Sequence, residues 1–268
     1  MHRIGVEVTD LRREPITSGQ VYEMDRLQET QLLYGEPVQI LDQREGWFFV
    51  AASAQPRHFQ GAWQPYCGWV EQQHVIEADP ALSFDVVTEF ECAVKNSAGA
   101  ILLRLSVGSY LPVLGRSDER WHVRLLDGRE GWVQPQRKVD PLRVSHNWLG
   151  SPYHWGGCSA YHPDLRPLRG VDCSALVHLS YRAAGRTIPR DAHDQYLACN
   201  MQVSVDQLAR GDLVFLAPKA KPGRMDHVML YLGDGVLLES TLASNSVRKI
   251  ALQERLSDAF TVTCARFV

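Results

Sequence analysis

Residues 169–185 read RGVDCSALVHLSYRAAG. A cysteine stands between an aspartate and a serine, and an apolar run with helical spacing follows at once. Ala175, Leu176, Leu179, Ala183 and Ala184 fall on one helical face, and Gly185 suits the left-handed residue that ends a helix. The spacing predicts a helix that begins at Cys173. The first N–H groups of a helix have no partner within it, and the macrodipole is positive at that end. A thiol held there beside an imidazolium ionises more readily than a free one, whose pKa is about 8.5. The same N–H groups can stabilise the oxyanion formed when sulfur attacks a carbonyl. Cys173 is therefore the candidate nucleophile.

Such a nucleophile needs a base. His227 opens HVMLYLGDGVLLE (227–239), a strand–turn–strand pattern. If Gly233, Asp234 and Gly235 form a three-residue loop, Leu232 pairs with Val236 and Met229 faces Glu239. His227 then lies diagonally from Glu239 on one face, about 7–8 Å away between α-carbons. A two-residue Asp-Gly turn would instead put the two side chains on opposite faces. In the first register Glu239 can hold one imidazole nitrogen while the other meets the thiol. Around these segments, RVSHNWLG (143–150) reads as a short helix, SPYHWGG (151–157) as a loop and AHDQYLACN (192–200) as a helix. GDLVFLA, DHVMLYLGDGVLLEST and TVTCARFV read as strands. Helices followed by an antiparallel sheet make an α+β domain over 141–268. His154, His162, His178 and His193 are read as surface or packing histidines. His178, five residues after Cys173, points away from it on a regular helix.

Upstream the texture changes to short alternating segments that occur twice. Gly35, Val38, Ile40, Trp47, Val50 and Gly68-Trp69-Val70 match Gly108, Leu111, Val113, Trp121, Val123 and Gly131-Trp132-Val133. Two imperfect copies imply two small β-barrels, over 1–78 (with a lead segment) and 79–140. The first copy has about ten extra residues, in SAQPRHFQGAWQPYC (53–67), expected to be a long loop that binds or covers something. Trp63 within it reads as a lid residue or a cover for the barrel. The connection QRKVDPLRVSHNW has one proline and no Gly/Ser run, so the barrels are expected to pack as fixed walls on the third domain.

Composition excludes other classes. A formal charge of −3 gives no reason to expect nucleic acid or an anionic membrane surface. No run approaches the ~18 apolar residues of a membrane span. The N-terminal MHRIGVEVTDLRREP lacks the apolar core of a signal peptide, so a cytoplasmic protein is expected unless a leader has been trimmed. The six cysteines form no C-x-x-C pair, and neither a metal site nor another cofactor is expected.

GVDCSALV, then DHVMLYLGDGVLLEST about fifty residues on, with SPYHWGG before both and GDLVFL between, resemble the NlpC-type (NlpC/p60) papain-like cysteine peptidases of bacterial cell-wall turnover. The resemblance covers 145–268 and implies Cys173 as nucleophile and His227 as base. The family's third polar residue, commonly His, Asn or Gln, falls here on Glu239, and since a neutral residue serves there, Glu239→Gln is expected to keep part of the activity. The long CSAYHPDLRPLRG (158–170) also departs from the pattern and is expected to reshape the pocket rim. With two SH3-like barrels in front, the whole chain is similar to γ-D-glutamyl-L-diamino acid endopeptidases. These cut L-Ala-γ-D-Glu-diamino acid peptides that carry a free N-terminal L-Ala, during muropeptide recycling.

By that resemblance Glu36 and Tyr66 of the first barrel, with Asp172 and Ser174, bind the free amine. Tyr153 lines the pocket, and Arg190 or Asp191 meets a carboxylate or amine of the diamino acid. The alternatives are another acyl-transfer enzyme on the same fold, an amidase or transferase, or a catalytically inert wall- or partner-binding protein. The preference between meso-diaminopimelate and L-Lys, and the oligomeric state, are open at this point.

Overall fold

The structure is a computed structural model that describes residues 1–16, 24–160, 169–256 and 259–268. Within them the N-terminal half forms two antiparallel sheets. The first contains β1 (His2–Ile4), β2 (Val8–Arg12), β3 (Gln28–Leu33), β4 (Pro37–Arg44), β5 (Trp47–Phe59), β6 (Ala62–Glu71) and β7 (Val75–Glu77), in the order β3-β2-β6-β5-β4-β1-β7. The second contains β8 (Phe84–Val86), β9 (Glu91–Lys95), β10 (Ile101–Ser106), β11 (Tyr110–Arg116), β12 (Trp121–Arg124) and β13 (Glu130–Val133), in the order β10-β9-β13-β12-β11-β8. Apart from β7 the two orders are the same, which is the sequence repeat expressed as topology.

The shared Gly-Trp-Val has a steric reason. Trp69 pairs with Arg12 and Trp132 with Lys95, so each strand there links one side of its sheet to the other. A Cβ at Gly68 would lie 2.8 Å from the Arg12 carbonyl oxygen, and one at Gly131 would lie 2.7 Å from that of Lys95. Only glycine allows so close an approach. Alternating inward residues such as Leu11, Leu32, Val50 and Val70, and in the second sheet Val94, Leu105, Leu111 and Val123, fill two separate small cores.

The extra segment 53–67 is not a loop. It continues the β5–β6 hairpin, with Pro56 opposite Pro65, His58 opposite Trp63 and Phe59 opposite Ala62. The turn is Gln60-Gly61, both with positive φ (52° and 82°), the pattern that matches hairpin twist. Gln-Gly is a weaker hairpin signal than Asn-Gly, and this misleads a sequence reading. The extended hairpin reaches the third domain, where Pro56 O accepts from Arg190 N (3.1 Å) and Asp194 Oδ2 accepts from His58 N (2.8 Å).

The C-terminal part holds α1 (Pro141–His146), the short ribbon β14 (Cys158–Ser159) and β15 (Gly170–Val171), α2 (Cys173–Ala183) and α3 (Ala192–Ala198). An antiparallel sheet follows: β16 (Met201–Val203), β17 (Leu213–Pro218), β18 (His227–Gly233), β19 (Val236–Thr241), β20 (Ser246–Ala251) and β21 (Phe260–Arg266), in the order β16-β21-β17-β18-β19-β20. Strands β16 and β20 are additions to the sequence reading. Among the described residues, no helix is long and apolar enough to cross a membrane.

Helix α2 is buried on all sides from Ser174 to Ala183, not on one face as its apolar spacing suggests. The sheet covers one side and the barrels the other. Its polar residues are therefore tied down: Ser180 Oγ donates to Leu176 O, His178 meets Ile188 O through Nδ1, and Arg182 is ion-paired. Leu33 of the first sheet and Val107, just after the second's β10, lie in one apolar cluster with Trp148, Leu176, Leu179 and Phe215. Pulling the barrels away would expose that cluster. Limited proteolysis near residue 141 is thus expected to leave the pieces associated. Recovery of a stable, fully active fragment starting near residue 141 would contradict the shared core.

Candidate active site

Cys173 is the first residue of α2. Asp172 caps the helix: its Oδ1 accepts from Ala175 N (2.8 Å) and its carbonyl from Leu176 N (3.2 Å). This leaves the Cys173 and Ser174 N–H groups as the helix's unpaired leading donors. Tyr153 forms a parallel bridge to Val171, two residues before the thiol. Burial, Asp172 and Cys173 together push its phenol well above the ordinary range, so it stays a neutral donor beside the sulfur.

His227 begins β18, which packs against α2; it is hydrogen-bonded to Glu239 and lies close enough to Cys173 for that side chain to raise its pKa. Its Nε2 lies 3.0 Å from Glu239 Oε2, which leaves Nδ1 for the sulfur. The hairpin that achieves this combines the two registers open to the sequence. Gly233 pairs with Val236 around a two-residue turn, Asp234-Gly235, with φ of 51° and 70°. Taken alone, that turn would place His227 and Glu239 on opposite faces. The register then shifts between Tyr231 and Gly233, so Tyr231 pairs with Leu237 and Leu230 with Leu238. Leu232 is the extra residue of a β-bulge, and the bulge restores the face.

Glu239 is fully buried. Its Oε1 accepts from Arg248 Nε (3.0 Å) and from Arg255. Burial opposes charge at both ends of the His227–Glu239 contact, and the local partners outweigh it. Cys173 and Glu239 raise the imidazolium from 6.5 to about 9, and hydrogen bonds from His227 and Arg255 bring the Glu239 carboxyl from 4.5 to about 2.

The raised His227 contributes stability that is complete below pH 6.5 and lost as pH rises through about 9. The lowered Glu239 contributes stability that is complete above pH 4.5 and lost as pH falls through about 2. The urea midpoint of the wild type should therefore exceed that of Glu239→Gln most between pH 4.5 and 6.5, with the gap narrowing on either side. A gap that stays flat from about pH 3 to about pH 10 would contradict the linkage.

Two residues that the resemblance gives to the substrate are committed elsewhere. Glu36 is fully buried in an ion pair. It accepts from Leu33 N (3.1 Å), Gln55 Nε2 (3.0 Å) and both terminal nitrogens of Arg182 (3.2 Å each). Arg190 is likewise committed: it grips Asp172 through NH1 (3.0 Å) and NH2 (2.8 Å), Ser174 Oγ (2.9 Å) and Thr30 Oγ1 (2.7 Å). Both buried guanidiniums are spent on the protein's own acceptors, and they bind the barrel to the nucleophile's helix and its cap.

The residue beside Tyr66 is Glu29, which the sequence reading missed. Tyr66 Oη lies 3.1 Å from both Glu29 Oε2 and Asp191 Oδ2. Burial pushes the Asp191 carboxyl up to about 6 against the pull of Arg190, and Asp194 adds to the rise. Arg13, at the surface, holds the other Glu29 oxygen (2.6 Å), and the Arg57 guanidinium lies 4.3 Å over the Tyr66 ring. Glu29 and Glu36 flank the same TQLLYG, and only the course of β3 tells which one meets Tyr66.

Among the histidines, His154 bonds Gln28 (3.1 Å), and His193 accepts from Met225 N (3.3 Å). His178, fully buried near Arg182 and Arg190, is held well below its usual pKa by burial and those charges. His162 and most of the insertion 158–170 lie outside the described residues. Trp63 is half exposed on β6 and packs edge-on against His58 (5.1 Å between centroids).

Comparison with known proteins places this geometry. Residues 150–266 match the NlpC/P60 family, and residues 24–54 match the bacterial dipeptidyl-peptidase Sh3 domain. The chain is 29% identical to a γ-D-glutamyl-L-lysine dipeptidyl-peptidase of Bacillus subtilis, over 87% of this chain and 78% of that one. It is 38% identical over 116 residues to the peptidoglycan endopeptidase RipB of Mycobacterium tuberculosis, covering 41% of this chain and 45% of that one. The crystal structure of an NlpC/P60 family protein from Bacillus cereus superposes with a TM-score of 0.80 at 23% identity, over 100% of this chain and 99% of that one. Residues 150–266 are therefore an NlpC/P60 domain, placed behind N-terminal bacterial SH3-like domains.

Proposed function

We propose that this protein is a cysteine endopeptidase that hydrolyses the bond between γ-D-Glu and the diamino acid of peptidoglycan stem peptides bearing a free N-terminal L-Ala, in muropeptide recycling. The observation that carries the reading is the series Cys173–His227–Glu239, with the sulfur at the start of a capped helix. In this reading the Cys173 thiolate attacks the γ-carbonyl carbon. The Cys173 and Ser174 N–H groups face the developing oxyanion. His227 passes its proton to the leaving amine of the diamino acid, leaving a thioester. A water that gives its proton back to His227 then hydrolyses the thioester and regenerates the thiolate. The names of the relatives, a γ-D-glutamyl-L-lysine dipeptidyl-peptidase and a peptidoglycan endopeptidase, support the substrate class.

The free-amine requirement rests on Tyr66, Glu29 and Asp191. One phenol is shared by two carboxylates in a largely buried cluster; Arg13 takes the outer oxygen of Glu29, and an ammonium would add charge and donors on the Tyr66 and Asp191 side. Asp191 adjoins Arg190, which grips Asp172, so the cluster is one bonded step from the nucleophile. The test compares L-Ala-γ-D-Glu-diamino acid with its N-acetylated form. The wild type should prefer the free amine by at least ~100-fold, since an unpaired buried carboxylate costs several kcal/mol. Glu29→Gln should lose activity on the free peptide. Equal rates on the two peptides would remove the barrel from substrate recognition.

A further inference from the structure

Glu239 is a buried carboxylate with three cationic or ionisable partners, each from a different element. Its Oε2 meets His227 of β18. Its Oε1 is shared by Arg248, directly opposite it on β20, and Arg255, which follows the single turn Leu252–Glu254. Neither arginine is needed to close the sheet. We infer that Arg248 and Arg255 are positioning residues for the nucleophile–base pair, so that its third member is a Glu–Arg–Arg unit and not a lone carboxylate. This rests on the cysteine-peptidase reading and adds to it the groups that tune the base.

Two effects follow from the geometry. Pinning Oε1 between two guanidiniums aims Oε2 at the imidazole. The arginines also change the local charge sum from −1 to +1. A lone buried carboxylate would tighten His227's hold on its proton, which must reach the leaving amine. The nearby positive charge relaxes that hold. The other ionisable groups near the imidazole are Cys173 on α2, with Asp172 (neutralised by Arg190) and Tyr153 beyond it, and Asp226, its neighbour in the chain, which Arg224 meets at 3.9 Å; on α3, His193 is taken up by Met225 N and Asp194 by His58 N. The two arginines are the cations that reach Glu239 itself.

The arrangement reverses an expectation drawn from the sequence. Because a neutral residue serves at this position in the family, Glu239→Gln was expected to be mild. Here it would strand two guanidiniums beside an imidazolium.

The experiment reads the alkaline limb of kcat/KM on the tripeptide. In parallel, iodoacetamide labelling of Cys173 is followed by mass spectrometry. Arg255→Met should move the limb up by about one unit, and Arg255→Lys, which keeps the charge, should leave it near the wild type. Glu239→Gln should move it down and lose more than about tenfold at neutral pH, and adding Arg255→Met should recover part of both losses. If Arg255→Met does not fold, Arg248→Met, whose side chain is more exposed, gives the same readout. A limb unmoved in the arginine variants, or a double variant that falls by the product of the singles, would overturn the inference. If wild-type Cys173 labels no faster than the half-buried Cys67, the peptidase reading fails and the inference goes with it. Fast labelling with unmoved limbs removes the inference alone.

Discussion

Cys173→Ala should abolish cleavage of L-Ala-γ-D-Glu-diamino acid, with a loss of at least about 10⁴-fold in kcat. Nothing else at the helix start can take the sulfur's place: Ser174 Oγ, which could form only an oxygen ester, is engaged with Asp172 and Arg190. The variant should fold normally, because Cys173 is only half buried and the cap that starts the helix belongs to Asp172. His227→Ala should lose a comparable factor, since groups that act as one unit do not lose activity additively. The double variant should be little worse than either single. Product release is followed by mass spectrometry, and far-ultraviolet circular dichroism checks the fold. Wild-type turnover by Cys173→Ala would make the nucleophile assignment wrong and favour a different chemistry, whereas no turnover by the wild type itself would favour an inert binding protein.

Arg182→Met should destabilise the chain by about 3–5 kcal/mol, the usual penalty for leaving one member of a buried ion pair alone. Arg182 is 2% exposed and Glu36 fully buried. The guanidinium also donates to Ala54 O (3.0 Å) in the first sheet and Gly108 O (3.3 Å) in the β10–β11 turn of the second, so one side chain of the nucleophile's helix ties down both barrels. Replacing both charges, Glu36→Leu with Arg182→Met, should recover much of the loss, though the two carbonyls stay without their donor. Urea midpoints measure both. A single variant within about 1 kcal/mol of wild type would mean that water reaches Glu36 and that the pair is not a buried lock.

Several elements were legible from short stretches because their causes are short-range. Helix α2 is set by its Asp172 cap, its apolar spacing and the left-handed Gly185 (φ 81°). The paired barrels follow from alternation and from a glycine that must lie against a neighbouring backbone. The nearness of His227 to Cys173 came from the resemblance to NlpC-type peptidases, since no local pattern relates two segments about fifty residues apart.

Tertiary structure alone decided which groups meet. The hairpin turn favoured the wrong face, and one bulged residue, Leu232, corrected it. Bulges answer to packing on both sides of a sheet, which no window of a few residues contains. The choice of Glu29 over Glu36 beside Tyr66, and the burial of Arg182 and Arg190, depend on contacts between residues more than 30 and up to 160 positions apart. Either glutamate could serve as a surface carboxylate or a ligand by its own chemistry. The fold buries Glu36 against Arg182 and leaves Glu29 nearer the surface between Arg13 and Tyr66, because an arginine buried on α2 needs a charge opposite it and Glu36 is the carboxylate within reach.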